Sequence, residues 1–262
     1  MHPDHTRLPS PLRVGMVGAG RVGTALAAAL RDAGVDVEGP VGRGERPERC
    51  DAIVLCVPDA EIAAAAEVVT AAAPLVGHTS GATPLSALAP AGVPAFGLHP
   101  LQSFAAPNPQ GGLTPLRVFE GVGAAVAGIT PEALEFATAL AERLGMVPFE
   151  IDDEGRAAYH AAASVASNFL VTLQAAAETI AAGAGLEREE ARALLAPLVR
   201  QTVANVAALG PGAALTGPIA RGDEATVEAQ RAAVEESAPQ LLALFDELVR
   251  QTRAIAAQRA PA

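Results

Sequence analysis

Lysine is absent from this chain, and all eighteen basic residues are arginines. Schiff-base chemistry and lysine general acids are therefore excluded. Positive charge is scarce altogether. The net charge of −11 repels phosphate backbones, and no arginine cluster is dense enough to reverse it locally, so nucleic acid is not an expected partner. Aromatic residues make up 3% of the chain and charged residues 18%, beside many Ala-rich stretches, a balance that favours helices packed closely on small side chains. The two cysteines, Cys50 and Cys56, flank a predicted buried strand, where free cysteine acts as a small hydrophobe; a disulfide is not expected. Continuous apolar runs stop short of the ~18 residues needed to span a bilayer, and no membrane association is expected. The opening MHPDHTRLPSP lacks the apolar core and cleavage pattern of a signal peptide, so residues 1–11 read as a disordered tail and the location as cytoplasmic. What the chain does have is apolar mass. Half of its 262 residues are hydrophobic (50%), enough for one large domain or two modest ones.

The first apolar run, residues 12–17 (LRVGMV), ends in Gly18-Ala19-Gly20-Arg21-Val22-Gly23, after which Val22, Leu26 and Leu30 repeat at helical spacing until Gly34. A second strand, Val35 to Val41, follows. The run Ala52 to Val57 is continuous and rich in β-branched residues, as a central parallel strand covered on both faces should be, and Pro58 ends it. Asp59 is expected to cap a helix starting near Glu61. Further strands are predicted near 75–78, 93–98 and 122–128. Thr130-Pro131-Glu132 opens a helix closed by Gly145, and Val147 to Ile151 completes the sheet. From Asp153 only helical periodicity remains, which puts a domain boundary near residue 152. Long helices are predicted over 153–182, over 187–209 with a kink at Pro197, and from near 223, with Ser237-Ala238-Pro239-Gln240 as a capping box for the last. The expected architecture is α/β, a Rossmann dinucleotide-binding domain over 12–152 followed by an all-α domain over 153–262.

In the glycine motif, Gly18 permits the tight turn, Gly20 lets backbone approach a pyrophosphate, and Gly23 lets helix pack on strand, while the helix N-terminus receives the anion. Strand before, helix after and strand again give the spacing its meaning. Where an NAD enzyme usually carries a carboxylate for the ribose 2′-hydroxyl, this chain reads Val41-Gly42-Arg43-Gly44-Glu45-Arg46. Arg43 and Arg46 would grip a 2′-phosphate as bidentate donors, which favours NADP (NADPH), whereas Glu45 keeps NAD open and the arginines also fit a solvated loop. Val57, Pro58 and Asp59 leave a central strand beside this loop and are expected to line the nicotinamide ribose, with Asp59 fitting a helix cap better than a catalyst.

Three further segments put polar groups at predicted strand ends or turns: His78-Thr79-Ser80-Gly81, His99-Pro100-Leu101-Gln102-Ser103-Phe104 and Leu215 to Asp223. Ser80 and Gly81 are expected at the cofactor, and His99, Gln102, Ser103 and Arg221 at the substrate, with His99 also a candidate catalytic residue. His78 and His99 fit structural, hydrogen-bonded histidines equally well, and Arg221 could equally pair with Asp223. Between Ala157 and Ala177 there is no Asp, Glu, Lys or Arg, which predicts a helix buried nearly all round. Within it His160, Ser164, Ser167, Asn168 and Gln174 fall in one narrow arc. Buried polar groups need partners. These could be another helix or a dimer mate, or the arc could face the nicotinamide, with His160 as proton donor and Ser164 and Asn168 orienting substrate.

The segments GMVGAGRVG, HTSGA, HPLQSF, YHAAASVASNFLVTL and LTGPIARGD together resemble a bacterial family of Rossmann-like proteins with a helical C-terminal domain of unassigned function. More distantly the chain is similar to pyrroline-5-carboxylate reductase and ketopantoate reductase. That resemblance implies a helical domain of the 6-phosphogluconate dehydrogenase-like type, which completes an NADP cleft and forms a homodimer. It also implies a ketopantoate-like 2-keto acid or a cyclic imine as a small-molecule substrate. The conventional ketopantoate reductases use a lysine followed one turn later by asparagine, and here His160 with Ser164, or Ser164 with Asn168, takes that spacing. Two other readings stand beside this reductase: a non-catalytic NADP-binding regulator or scaffold, and an oxidative dehydrogenase of the prephenate type with histidine as base.

Overall fold

The computed structural model describes residues 8–104 and 116–258, so that most of the expected N-terminal tail lies outside the described residues. The described end of that tail is not loose, because Leu8 and Leu12 pack on the core. Seven strands form one sheet: β1 (Arg13–Val17), β2 (Asp36–Val41), β3 (Ala52–Leu55), β4 (Val76–His78), β5 (Ala95–Pro100), β6 (Gly123–Gly128) and β7 (Val147–Glu150). Their order across the sheet is β2-β1-β3-β4-β5-β6-β7. The first five run parallel, while β6 is antiparallel to β5 and β7 parallel to β6. Three helices serve this sheet: α1 (Arg21–Asp32), α2 (Ile62–Val68) and α3 (Pro131–Arg143). This is the Rossmann-type α/β domain, followed by a helical C-terminal region.

Strand β3 explains why the sheet needs cover on both faces. Its four residues are fully buried, with Ala52 and Val54 in one core cluster and Ile53 and Leu55 in another. The two-residue side-chain period sends neighbours to opposite faces, so a strand without polar positions must sit between two apolar layers. One layer comes from Leu26 and Leu30 of α1 and Phe136 and Leu140 of α3; the other comes from Ile62 and Ala66 of α2 with Leu85 and Leu88. Thr130 caps α3 as expected, its hydroxyl accepting from the Ala133 amide at 3.2 Å. Asp59 does not cap. It lies inside a 3-10 turn, Asp59–Glu61, whose N-terminal side is held by Pro58 without a side-chain bond.

The chain separates into two compact units, Met1–Val165 and Ala166–Ala262. The division falls later than the boundary expected near residue 152, because helix α4 (Arg156–Ala166) is tied by its first turns to the sheet. In the second unit α5 (Asn168–Ala181) packs on α6 (Arg188–Ala214), and α7 (Pro218–Arg221), α8 (Glu224–Ser237) and α9 (Leu242–Ala257) pack together. The single helix expected over 153–182 is interrupted at Ser167, whose backbone (φ −117°, ψ −67°) leaves the helical path. The kink expected at Pro197 is instead at Gly210, where φ is +76° ahead of Pro211. Ser237 forms no capping box, since its hydroxyl donates back to the Ala233 carbonyl at 2.7 Å.

The stretch from Ala157 to Ala177 is not buried all round. Val165, Phe169 and Val171 are more than half exposed, as are Leu194, Leu198 and Leu209 on α6. Freedom from charge marked an apolar surface, left exposed among the described residues. By mean hydropathy, 1.3 over its most apolar window, the helical stretch Arg188–Arg221 also reaches the length and apolarity of a membrane span, although no unbroken apolar run does.

Phe96, fully buried and edge-on to Phe136 at 5.2 Å, sits at the centre of one apolar layer. Phe96→Ala should cost about 3–5 kcal/mol, read as a fall in the urea midpoint. A loss under about 1 kcal/mol would show that this layer does not carry the fold.

Candidate active site

The parallel strands β1, β3, β4 and β5 all end on one edge of the sheet, where open α/β folds bind ligands. At the end of β1 the chain turns through Gly18 (φ +101°), and a Cβ there would stand 2.3 Å from the Cys56 carbonyl oxygen. A Cβ on Gly23 would stand 2.0 Å from the Gly18 carbonyl oxygen. Both positions are therefore restricted to glycine by backbone approaching backbone. Gly20 differs: a Cβ there would meet nothing within 4 Å, so its bareness serves open space. Gly20 also N-caps α1 without any side-chain bond, which leaves the first amides of that helix and the positive end of its dipole facing the opening.

The opening is a cleft of about 460 Å³, walled by Val17 to Gly20, the loop Gly42 to Glu45, Cys56 to Pro58, and Glu61, Ala64, Ala65 and Val68 on the α2 side. Arg43 lies in this wall and pairs with Glu61. Glu45 turns its carboxylate back on the loop, accepting from the Gly42 amide at 2.9 Å. Arg46, expected to share the 2′-phosphate, faces a separate depression with Glu48, Arg49, Ala71 and Ala72. The loop reverses between the two arginines, so one sequence segment serves two surfaces. Ala19, Val57 and Pro58 line the cleft, whereas Arg21, Val22 and Gly23 belong to α1, with Arg21 donating to the Phe104 carbonyl at 3.2 Å. Burial pushes the Cys56 thiol up to about 12, so this cleft-lining sulfur is no nucleophile.

Two strands further along the edge lies a second group of side chains. His99 of β5 meets Tyr159 of α4, with 2.7 Å between Nδ1 and the phenolic oxygen and their rings nearly perpendicular at 5.5 Å. Phe149 of β7 packs on the other side of Tyr159 at 5.8 Å, and His160 stands 6.3 Å from His99. The register explains the meeting, since His99, Ala125 and Phe149 are direct neighbours across three strands and point to one face. On that face Gly97 makes room for Arg156, whose guanidinium would be 3.1 Å from a Cβ there. Arg156 is 4% exposed and bonds Asp153 at 2.6 Å. Gly81 likewise accommodates the His99 ring, which lies 2.8 Å from where its Cβ would be. His78, fully buried beside Gly97, accepts the Ser80 amide at Nδ1 (3.2 Å), and its Nε2 has no partner among the described residues.

Several expected site residues have other work. The Ser80 hydroxyl is engaged within its own loop by the Ala82 and Thr83 amides and by Thr83 Oγ1. Gln102 bonds the Val118 carbonyl and the Ser103 amide, and Ser103 is exposed. His160 is exposed and Ser164 half-buried on α4, while Asn168 and Arg221 lie in the second unit. Asp223, the alternative partner of Arg221, accepts from the amide and hydroxyl of Thr226. Tyr159 was missed by sequence reasoning. Its signal was its place three residues after Arg156 and one before His160, on the helix face that meets β5.

Fold and cleft together define a Rossmann-type α/β protein with a helical C-terminal region. The chain matches, over residues 122–252, the family described as Domain of unknown function (DUF2520), which is half of its length, and it belongs to that family. Comparison with curated proteins finds no match. Among solved structures, it is similar to a candidate NADP oxidoreductase from Bacteroides fragilis (21% identity, TM-score 0.74, covering 93% of this chain and 98% of that one). A protein from Thermotoga maritima is similar at 23% identity and TM-score 0.72, over 93% and 98% of the two chains. Pyrroline carboxylate reductase from Plasmodium falciparum, with NADP bound, is similar at 13% identity and TM-score 0.58, over 94% and 98%. These likenesses are of fold.

The buried His78 and the half-buried His99 are both held neutral. Burial, then Arg156, lowers His78 to about 4, and burial, then His160 and Arg156, lowers His99 to about 4. An unfolded chain protonates its histidines near 6.5, so between about pH 6.5 and 4 it binds protons that the folded chain refuses. Stability should therefore be intact above that window and fall as pH drops through it. Urea midpoints measured across the window test this, and His78→Asn should flatten the fall by about half. An unchanged slope would mean that His78 titrates normally.

Proposed function

We propose that this protein is an NADP-dependent oxidoreductase that reduces a small carboxylate-bearing 2-keto acid or cyclic imine. The observation that carries the reading is the cleft in which uncapped amides of α1 and the Arg43 guanidinium meet around the open Gly20. A diphosphate fits that chemistry: Gly20 leaves a cradle that any side chain would fill, and the helix terminus offers donors without a partner of their own. Arg43 is the cleft-lining cation for a 2′-phosphate, released from Glu61 as the phosphate arrives. That the similar Plasmodium reductase holds NADP agrees with this choice. When bound, the reduced dinucleotide supplies a hydride. The chain itself must supply the proton that accompanies it, and with no lysine available the acid–base groups at the same edge are those around His99.

Arg43→Ala should weaken NADPH binding about tenfold, about 1.4 kcal/mol, and leave NADH binding unchanged, as read by calorimetric titration of each. An equal effect on both dinucleotides, or no NADPH binding by the unaltered protein, would reject the assignment.

We further propose that the exposed apolar side chains of α5 and α6 pair with a second copy of the chain. Large apolar residues on two successive helices, Phe169 and Val171 on α5 and Leu194 and Leu198 on α6, leave an exposed surface of the kind that marks interfaces. Sedimentation should give a dimer that Leu198→Arg dissociates. A monomer, or a chain that floats with lipid vesicles, would overturn this pairing.

A further inference from the structure

The edge of the sheet beyond β3 holds one short contact between two groups able to move a proton, His99 Nδ1 and the Tyr159 hydroxyl at 2.7 Å. Everything around it fixes the two rings. Gly81 gives the imidazole its slot, with no space for a Cβ. Phe149 and the imidazole hold the phenol from two sides at 5.8 and 5.5 Å. Arg156, bonded to Asp153 and lodged over Gly97, anchors the turn of α4 that carries Tyr159. Half-buried neutral pairs of this kind are costly to build without use, since each partner surrenders part of its water. The position also suits a reaction. The dinucleotide cleft ends at β3, and two strand spacings of about 4.8 Å put the end of β5 about 10 Å further along the same edge.

We propose that Tyr159 is the proton donor of this site and that His99 is its positioning residue, donating Nδ1–H to the phenolic oxygen so that the phenolic proton is free for substrate. The proposal rests on the oxidoreductase reading and names the group that reading requires. The step balances. As the hydride adds to the substrate carbon, the Tyr159 O–H bond breaks and its proton passes to the substrate oxygen or nitrogen. The phenolate, held by the Nδ1–H hydrogen bond from His99, then takes a proton from solvent, so Tyr159 regains its O–H, His99 keeps its Nδ1 proton, and the dyad ends as it began. No lysine is needed. Burial keeps both partners in the forms this requires, holding the phenol above its ordinary range and the imidazole low. His160, Arg156 and Asp59 are the charged or titratable neighbours acting on His99; beside burial, the first two oppose its protonation and Asp59 favours it. His160, the donor expected from sequence, is exposed and serves as a neighbour at 6.3 Å.

The chain offers a direct test, because Tyr159 is its single tyrosine and tryptophan is absent. Carbon NMR of ring-labelled tyrosine therefore follows one phenol, and circular dichroism over the same pH range identifies where the fold is intact. In the dinucleotide-free protein, His99→Phe should raise the phenol pKa by about one unit, since the imidazole no longer stabilises the phenolate. His99→Asn, whose side-chain amide still donates, should restore most of it. Adding NADPH should then shift the Tyr159 resonance at neutral pH. A phenol pKa unmoved or lowered in His99→Phe overturns the dyad. NADPH binding without any change at Tyr159 overturns its place at the reacting centre. Failure of NADPH to bind, with the His99 effect intact, would instead reject the oxidoreductase reading and leave the dyad standing.

Discussion

The site depends on three stretches of backbone being allowed to touch: the exit of β1 at Gly18, the first turn of α1 at Gly23, and the exit of β3 at Cys56. Any side chain at Gly18 or Gly23 would force these apart by more than an ångström. Their contact sets the start of α1 against the sheet edge, so the uncapped amides open into the cleft rather than into bulk water. It also sets the distance between the loop bearing Arg43 and the turn bearing Glu61, which makes that ion pair possible. The glycines are thus structural first, and the anion-binding geometry is what their close packing leaves behind.

A buried guanidinium plays the matching part on the other half of the edge. Removing a cation from water is expensive unless it is paired and hydrogen-bonded, and stripping one partner from such a pair costs about 3–5 kcal/mol. Arg156 meets the requirement through Asp153, which also accepts the Leu85 amide at 3.3 Å and so ties the start of α4 to the segment after β4. One helical turn further on, Tyr159 and His160 arrive over β5. The same charge suppresses protonation of both His78 and His99, joining the anchoring of the helix to the protonation state of the groups beneath it.

Most of the α/β order was legible in the sequence, because continuous apolar strands, glycine turns and the Thr130 cap are local signals. The antiparallel turn into β6 was not, since pairing direction depends on the long connection before it. In the helical region the absence of charge between Ala157 and Ala177 was read as burial, but composition reports that a surface is apolar without saying what covers it. The glycine motif and Arg43 could be placed from pattern. Arg46 could not, because three residues of loop decide which way a long side chain leaves. Tyr159 escaped notice for a related reason: its role comes from Gly97 and Gly81 leaving space on strands and loops far away in sequence, and no local periodicity reports a space.

The reversal at β6 has a consequence for what this scaffold can accept. Up to β5 each strand delivers a connection to the working edge. Beyond it the edge is met by the beginning of β6, pinned where the Leu101 amide bonds the Gly123 carbonyl at 2.8 Å. The recess beside His99 is therefore bounded on that flank by hydrogen-bonded sheet. Loops on the Gly18 side of the edge could lengthen without disturbing any ladder. Enlarging the recess toward β6 would mean unzipping paired backbone, so variation in ligand size should be absorbed elsewhere around its rim.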